Sequence, residues 1–153
     1  MLKILISLAC VFSFSFGSTD NRLFNYFRDK FIHMHPYDVV SFLCSYTRTE
    51  SPYNRFLTQG YTYNYSCNND VYSLGIGPYP GYKGIDITNH KALIKFVNVM
   101  KHDLKNFLCK DPAFKASLFS VIKIEFKIYD SRGNLQETMI FNKNVTPACG
   151  LMN

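Results

Sequence analysis

The sequence has no tryptophan, no CxxC pair, no run of basic residues and no second long apolar stretch after the one at its N-terminus. Zinc sites are usually built from close cysteine pairs, so their absence disfavours zinc. The absence of a basic run disfavours a surface that follows a phosphate backbone, and no nucleic-acid partner is predicted. Internal repeats, low-complexity tracts and long linkers are also missing, which favours a single domain.

The apolar stretch at the N-terminus has the pattern of a secretory signal peptide. Lys3 precedes an uncharged run from Ile4 to Phe14, and the small residues Gly17 and Ser18 follow. The run is shorter than the roughly 18 to 20 residues needed to cross a bilayer. We therefore predict that residues 1–17 are removed, that residues 18–153 form one secreted, extracellular domain, and that the chain has no membrane span.

Four cysteines remain after Cys10 is removed with the signal peptide, and they lie far apart in the chain. In an oxidising compartment an even number of cysteines predicts disulfides, here two. The cysteines are Cys44, Cys67, Cys109 and Cys149. Three pairings are possible, and the sequence does not choose among them. Each closed loop would contribute roughly 3 to 5 kcal/mol to stability.

Two sequons predict N-glycosylation, a modification of secreted chains. The first is Asn64-Tyr65-Ser66 and the second is Asn144-Val145-Thr146. Pro147 directly follows the second sequon and lowers its use, so Asn64 is the preferred site.

The charge balance is moderately basic, with 17 Lys and Arg residues against 11 Asp and Glu. The basic residues are scattered along the chain. An excess of this kind maintains solubility and assists binding to anionic surfaces.

Apolar residues recur with helical spacing near the N-terminus and again over residues 89–100. Leu23, Phe27 and Phe31 lie four residues apart, which indicates an amphipathic helix. Pro36 suits the first turn of a second helix, which is predicted to end near Cys44. The predicted helices span 19–34, 36–44, a turn after Ser51, and 89–100.

Alternation with a period of two predicts the strands. The clearest case has Ile122, Ile124, Phe126 and Ile128 separated by charged residues, which indicates a half-buried strand. Gly133 suits a left-handed residue in the turn that follows. The predicted strands span 61–66, 71–74, 122–128 and 135–141, with a loop over 75–84. The predicted class is α+β, with N-terminal helices packed on one face of a curved antiparallel sheet.

The order of these elements, with the patch Phe56-Leu57-Thr58-Gln59-Gly60-Tyr61-Thr62-Tyr63 and a loop ending in Gly84, resembles the nuclear transport factor 2-like cone. Small secreted domains of the nematode type are the nearest form. The resemblance implies a curved sheet around a cavity that binds a ligand, serves catalysis or presents an interaction surface. It transfers no catalytic residue, because the family's enzyme motifs have no match here. A Gln-x-Val-x-Gly segment is also missing, which counts against a cystatin-like inhibitor.

Five tyrosines are the candidate ligand-binding residues. Alternation places three on one face of a strand and the others in a loop, where they would contact an apolar ligand or a protein. The five are Tyr61, Tyr63, Tyr65, Tyr79 and Tyr82. The alternative interpretation is that the strand tyrosines are the sheet's share of the core.

Candidate catalytic and metal-binding residues are few. His33 and His35 would face one way on an extended backbone and bind a metal there, but at a helix end they are polar terminal residues. His90 lies in the first turn of a predicted helix and His102 lies just after its end, both at solvated positions. A carboxylate raised in pKa by burial could act as a base. The candidates are Asp38, Asp86 and Asp103, and nothing in the sequence selects one. No catalytic residue, metal or cofactor is predicted.

The function predicted from the sequence is that of a secreted, non-catalytic module that binds a protein or a small apolar ligand. The alternative is a secreted cone-type enzyme that uses a cavity carboxylate, histidine or tyrosine.

Overall fold

The computed structural model describes residues 21–50, 61–78, 88–147 and 149. The signal-peptide prediction, the helical turn after Ser51 and the candidates Tyr79, Tyr82 and Asp86 lie outside these residues. In chain order the elements are α1 (21–31), α2 (Pro36–Glu50), β1 (Tyr61–Asn68), β2 (Val71–Pro78), α3 (His90–Lys110), α4 (Pro112–Ser117), β3 (Lys123–Tyr129) and β4 (Leu135–Phe141). The predicted α+β class is confirmed.

The four strands form one sheet in the order β1-β2-β3-β4. The outer pairs are antiparallel, whereas β2 and β3 run parallel. The prediction of a wholly antiparallel sheet is therefore wrong for the central pair. Its physical reason is the connection: α3 and α4 lie between β2 and β3, and a helical crossover of this length lets the chain enter the next strand in the same direction.

One face of the sheet packs against the helices. Neighbouring positions on β2, β3 and β4 share a face because pairing partners point the same way. Two such rows are Tyr72, Ile124 and Phe141, and Leu74, Phe126 and Met139. All six side chains are buried and join apolar residues of every helix in one core. The charged residues of β3 therefore lie on the opposite face of the sheet.

Helix α2 extends six residues beyond its predicted end at Cys44, to Glu50. Thr47 lies in this extension and is buried. Its hydroxyl oxygen donates to the Leu43 carbonyl at 2.7 Å and lies 2.8 Å from the Tyr72 hydroxyl. The extension of α2 is therefore stabilised by a contact with a strand 25 residues later in the chain. The local spacing of apolar residues does not predict such a contact.

Helix α3 also continues past its predicted end, and a capped turn separates it from α4. The buried residues Met100, Leu104, Phe107 and Leu108 carry its apolar face to the end. Asp111 follows Lys110, and its carboxylate accepts the N–H groups of Ala113 and Phe114, both at 3.0 Å. With Pro112 at the first position, this cap starts α4.

Strand β2 includes Gly75 to Pro78, which the sequence placed in a loop. That part of the loop prediction is wrong, because Gly75 and Gly77 pair with β1 and Gly75 also pairs with β3. A Cβ atom on Gly75 would collide with the Asn64 side chain and lie 2.9 Å from the Tyr129 ring. Glycine is needed here because neighbouring side chains cross the strand, not because the chain turns.

The turn between β3 and β4 is closed by Asp130, which is only 8% exposed. Its carboxylate accepts the backbone N–H groups of Arg132 and Asn134, each at 2.9 Å. It also accepts the side-chain amides of Asn134 at 3.1 Å and Gln136 at 3.0 Å. Gly133 has φ +82°, which confirms the predicted left-handed residue.

The pKa of Asp130 lies below its ordinary value of 3.8. Burial by itself raises the pKa, but the hydrogen bonds from Asn134 and Arg132 outweigh burial. A carboxyl with a lowered folded-state pKa stabilises the fold above its unfolded pKa, and this stability is lost as pH falls through the folded pKa.

Asp130→Asn is therefore expected to lower the free energy of unfolding by about 2 kcal/mol at pH 7, since hydrogen bonds to a charged group are lost. The difference between the variant and the wild type should shrink as pH falls below 3.8. Urea unfolding of both chains at pH 7 and at pH 3 measures it. A difference that stays constant between these pH values would contradict a role for the ionised carboxylate.

Two disulfides are present, as predicted, and the structure selects one of the three pairings. Cys44 at α2 joins Cys67 on β1, with 6.3 Å between the Cα atoms. Cys109 at the end of α3 joins Cys149, with 5.3 Å between the Cα atoms. Both distances are typical of disulfides.

In the described part of the chain, every helix is too short or too polar to span a bilayer.

Candidate functional site

The three strand tyrosines lie on the face of the sheet that meets the helices. Tyr61, Tyr63 and Tyr65 are half-buried and pack against the core. The Tyr61 ring stacks on Phe96 with 6.0 Å between centroids. Their placement matches the interpretation as the sheet's share of the core, and a ligand-binding role for them stays a prediction.

The four histidines and the two described carboxylate candidates, Asp38 and Asp103, do not form a metal-binding cluster in the described ranges. His33, His35, His90 and His102 are all exposed. Asp38 is exposed in the first turn of α2, and Asp103 is half-buried on α3. Within the described ranges, no three His, Cys, Asp or Glu residues are grouped to hold a metal ion.

Two half-buried carboxylates outside the predicted set, Asp111 and Glu125, have structural roles. Asp111 caps α4 and accepts the Tyr46 hydroxyl at 3.2 Å. Glu125, on the face of the sheet away from the helices, lies 2.9 Å from the Lys123 ammonium and accepts the Ser73 hydroxyl at 2.9 Å. The Lys123 hydrogen bond is the main cause that lowers the pKa of Glu125; burial opposes it and Ser73 adds to it. A general base at neutral pH needs a raised pKa, so Glu125 has the opposite property.

The strongest candidate for a binding site is a cleft of about 610 Å³ beside α4. We call it the lysine cleft. It is lined by Lys115, Leu118, Phe119, Lys143, Thr146, Pro147 and Cys149. Leu118, Phe119 and Pro147 supply apolar surface, and two lysines supply positive charge, with no carboxylate among the lining residues that the structure describes. Such a surface suits a molecule that is apolar with a negatively charged group.

Helix α1 borders the lysine cleft through aromatic contacts. The Phe24 ring meets Phe119 edge-on, with 5.9 Å between centroids. The Lys115 ammonium lies 5.0 Å from the centre of the Phe24 ring, and the Arg28 guanidinium lies 5.7 Å from it. Cation–π contact of this kind orients a lysine without neutralising it. The Lys115 ammonium is therefore held at the edge of the cleft.

Sequence reasoning missed the lysine cleft because its two walls are distant in the chain. Lys115 and Phe119 belong to a stretch in which no element was predicted. Lys143 and Pro147 follow β4, and the Cys109–Cys149 disulfide ties their segment to the end of α3. Because the sequence left three pairings open, it gave no signal that the segments meet.

Helix α3 carries a second apolar surface with positive charges nearby. Ile94 and Val99 are 47% and 48% exposed, and they lie beside Lys91, Lys95 and His102. All of these residues lie on one helix, so a ligand would contact a single wall. The lysine cleft offers two walls and is the better-enclosed site.

A third cleft, of about 500 Å³, lies on the face of the sheet away from the helices. We call it the open-face cleft. Gly75 and Gly77 form its floor, Asn64 lies on one side, and Tyr129 lies on the other with the turn at 130–133. It shares no residue with the lysine cleft.

No protein-family model, no curated protein and no solved structure matches the chain.

Proposed function

We propose that this chain is a secreted, non-catalytic binding module whose lysine cleft holds an apolar ligand with a negatively charged group, such as a medium-chain carboxylate. The observation that carries the proposal is the arrangement of Lys115 and Lys143 around the apolar surface of Phe119 and Pro147.

The two halves of such a ligand would be stabilised by different effects. An alkyl chain gains about 25 cal/mol for each Å² of apolar surface removed from water. The carboxylate gains a charge-assisted contact with an ammonium group. Phe119 is 50% exposed, so apolar surface remains for a ligand to cover. The volume of about 610 Å³ lies within the usual range of ligand sites.

Secretion is part of the proposal and rests on two observations. The N-terminal sequence has the signal-peptide pattern. The four remaining cysteines form two disulfides, which persist in oxidising compartments and are rare in the cytosol. Together they support an extracellular site of action.

The nuclear transport factor 2-like cone also remains a proposal. Two helices precede the sheet, and the helices cover one of its faces, as the resemblance implies. The parallel pairing of β2 with β3 departs from the curved antiparallel sheet that the sequence predicts.

Calorimetric titration with dodecanoate tests the proposed function. We expect saturable binding. The double variant Lys115→Glu/Lys143→Glu should weaken binding by roughly ten-fold or more, because it replaces two attractive charges by two repulsive ones. A ten-fold loss corresponds to about 1.4 kcal/mol. Dodecyltrimethylammonium, which has the same chain and the opposite charge, should not bind the wild type.

The matched control is Lys91→Glu/Lys95→Glu on α3. It changes the net charge equally and alters the other cationic apolar surface. Dodecanoate affinity should stay within about two-fold of the wild type, because neither Lys91 nor Lys95 lines the lysine cleft and salt screens exposed charges outside the site. Equal weakening by both double variants, or equal binding of the two detergents, would contradict the proposed site.

A further inference from the structure

Asn64, the first residue of the preferred sequon, lies in the middle of the edge strand β1. Its pairing partner on β2 is Gly75, and the side chain of Asn64 is exposed. Tyr63 and Tyr65, its neighbours in the chain, point to the opposite face of the sheet, where they pack against the core. Asn64 and the sequon residue Ser66 therefore share the face that the helices leave uncovered.

The side chain of Asn64 is directed into the open-face cleft. A Cβ atom built on Gly75 would collide with the Asn64 Oδ1 atom and lie 2.9 Å from Cε2 of Tyr129. The Asn64 amide oxygen and the Tyr129 ring thus approach each other over the Gly75 backbone. The cleft continues along Gly77 to Arg132 in the turn. A group attached to the amide nitrogen of Asn64 would start at one side of a cleft with an aromatic ring on its other side.

The lining of the cleft suits a sugar. The ring of Tyr129 offers a flat surface on which the C–H face of a pyranose can pack. Thr62, Ser131 and Arg132 also line the cleft and have polar side chains for sugar hydroxyls and an acetamido group. The volume of about 500 Å³ is in the range of small-molecule sites. The lining therefore combines one aromatic surface with several hydrogen-bonding groups.

We propose that Asn64 is N-glycosylated and that the first N-acetylglucosamine of its glycan lies in the open-face cleft against Tyr129. In the modification, the Asn64 amide nitrogen forms a bond to C1 of the sugar and loses one proton. The bond between C1 and the phosphate oxygen of a lipid-pyrophosphate-linked oligosaccharide breaks, and the lipid pyrophosphate leaves with the bonding electron pair. No oxidation or reduction is involved. The attached sugar then covers the glycine floor.

The second sequon provides an internal comparison. Asn144 lies in an exposed turn, in which its backbone N–H donates to the Asn142 side chain at 2.9 Å. It does not line the open-face cleft. A glycan on Asn144 would therefore extend into solvent, and its presence should leave the thermal stability of the domain unchanged.

The test uses the full chain secreted from eukaryotic cells, with peptide mass mapping and thermal unfolding. We expect Asn64 to carry a glycan, which endoglycosidase trimming reduces to one N-acetylglucosamine. This form should melt roughly 3 °C above Ser66→Ala, which abolishes the sequon but keeps Asn64. In a Tyr129→Leu background, the difference in melting temperature between the glycosylated chain and its Ser66→Ala variant should fall below about 1 °C. In a Tyr129→Phe background, which keeps the ring, the difference should stay at its wild-type value.

Both chains of each comparison carry the same residue at position 129. The direct effect of the Tyr129 substitution on stability therefore cancels in the difference between their melting temperatures. An unmodified Asn64 in the secreted protein would overturn the proposal. A stability difference that is equal in the Tyr129→Leu and wild-type backgrounds would also overturn it, since the sugar would then not contact the ring. Asn144→Gln, which abolishes the second sequon at an exposed side chain, should not shift the melting temperature; an equal shift there would show that the effect of glycosylation is not specific to the cleft.

Discussion

Phe114→Ala is expected to lower the free energy of unfolding by about 3 to 5 kcal/mol, the usual cost of removing a fully buried phenylalanine. Phe114 is 0% exposed and lies in the first turn of α4. Its ring centre is 5.0 Å from that of Tyr72, 5.1 Å from that of Phe107 and 6.3 Å from that of Tyr46. It therefore joins α2, α3, α4 and the sheet, and no single neighbour can fill the space it would leave.

Phe114→Leu is the matched control, because it keeps most of the apolar volume and should cost only about 1 to 1.5 kcal/mol. Urea unfolding followed by far-UV circular dichroism gives both values. If the two variants were equally stable, the ring would not be at the centre of the core, and the described packing of α4 would be contradicted.

Replacing Cys109 and Cys149 by serine is expected to cost roughly 3 to 4 kcal/mol, because the disulfide closes a loop of 40 residues in the unfolded chain. The same replacement at Cys44 and Cys67, which close a loop of 23 residues, should cost a similar amount. Denaturant unfolding of the two double variants measures both losses.

The two disulfides should differ in their effect on binding. Cys149 lines the lysine cleft, whereas Cys44 and Cys67 lie at α2 and β1. At a temperature where both double variants remain folded, we expect the Cys109/Cys149 variant to lose dodecanoate binding by ten-fold or more, about 1.4 kcal/mol. The Cys44/Cys67 variant should bind as the wild type does. The opposite order would place the ligand elsewhere.

The parts of the fold that local sequence determines were predicted well. The alternation of apolar and charged residues through β3 depends on neighbours in the same strand, and the structure shows that strand at Lys123–Tyr129. Gly133 has the left-handed backbone that its turn requires. The number of disulfides followed from the even count of cysteines outside the predicted signal peptide.

The parts that depend on distant contacts were not predicted. Thr47 extends α2 because it meets Tyr72. Gly75 belongs to a strand because it pairs with Asn64 on β1 and Lys127 on β3. The parallel pairing of β2 and β3 follows from the helices between them. None of these effects leaves a periodic signal in the sequence.

The lysine cleft was not predicted for the same reason, because its lining residues are distant in the chain. The visible aromatic feature of the sequence was the alternation of Tyr61, Tyr63 and Tyr65, and in the structure these side chains pack against the core. The lysine cleft instead combines scattered residues, Lys115 with Lys143 and Phe119 with Pro147. Only the pairing of Cys109 with Cys149 would have indicated that these segments are close, and cysteine count alone cannot give it.

The most direct test of the proposed function is a two-dimensional NMR titration of the ¹⁵N-labelled domain with dodecanoate. We expect saturable shifts of the backbone amides of Lys115, Leu118, Phe119, Lys143 and Thr146, which line the lysine cleft. Amides on α3 near Ile94 and Val99 should remain in place. Shifts that cluster on α3 or on the open face of the sheet, or no saturable shift at all, would contradict the lysine cleft as the ligand site.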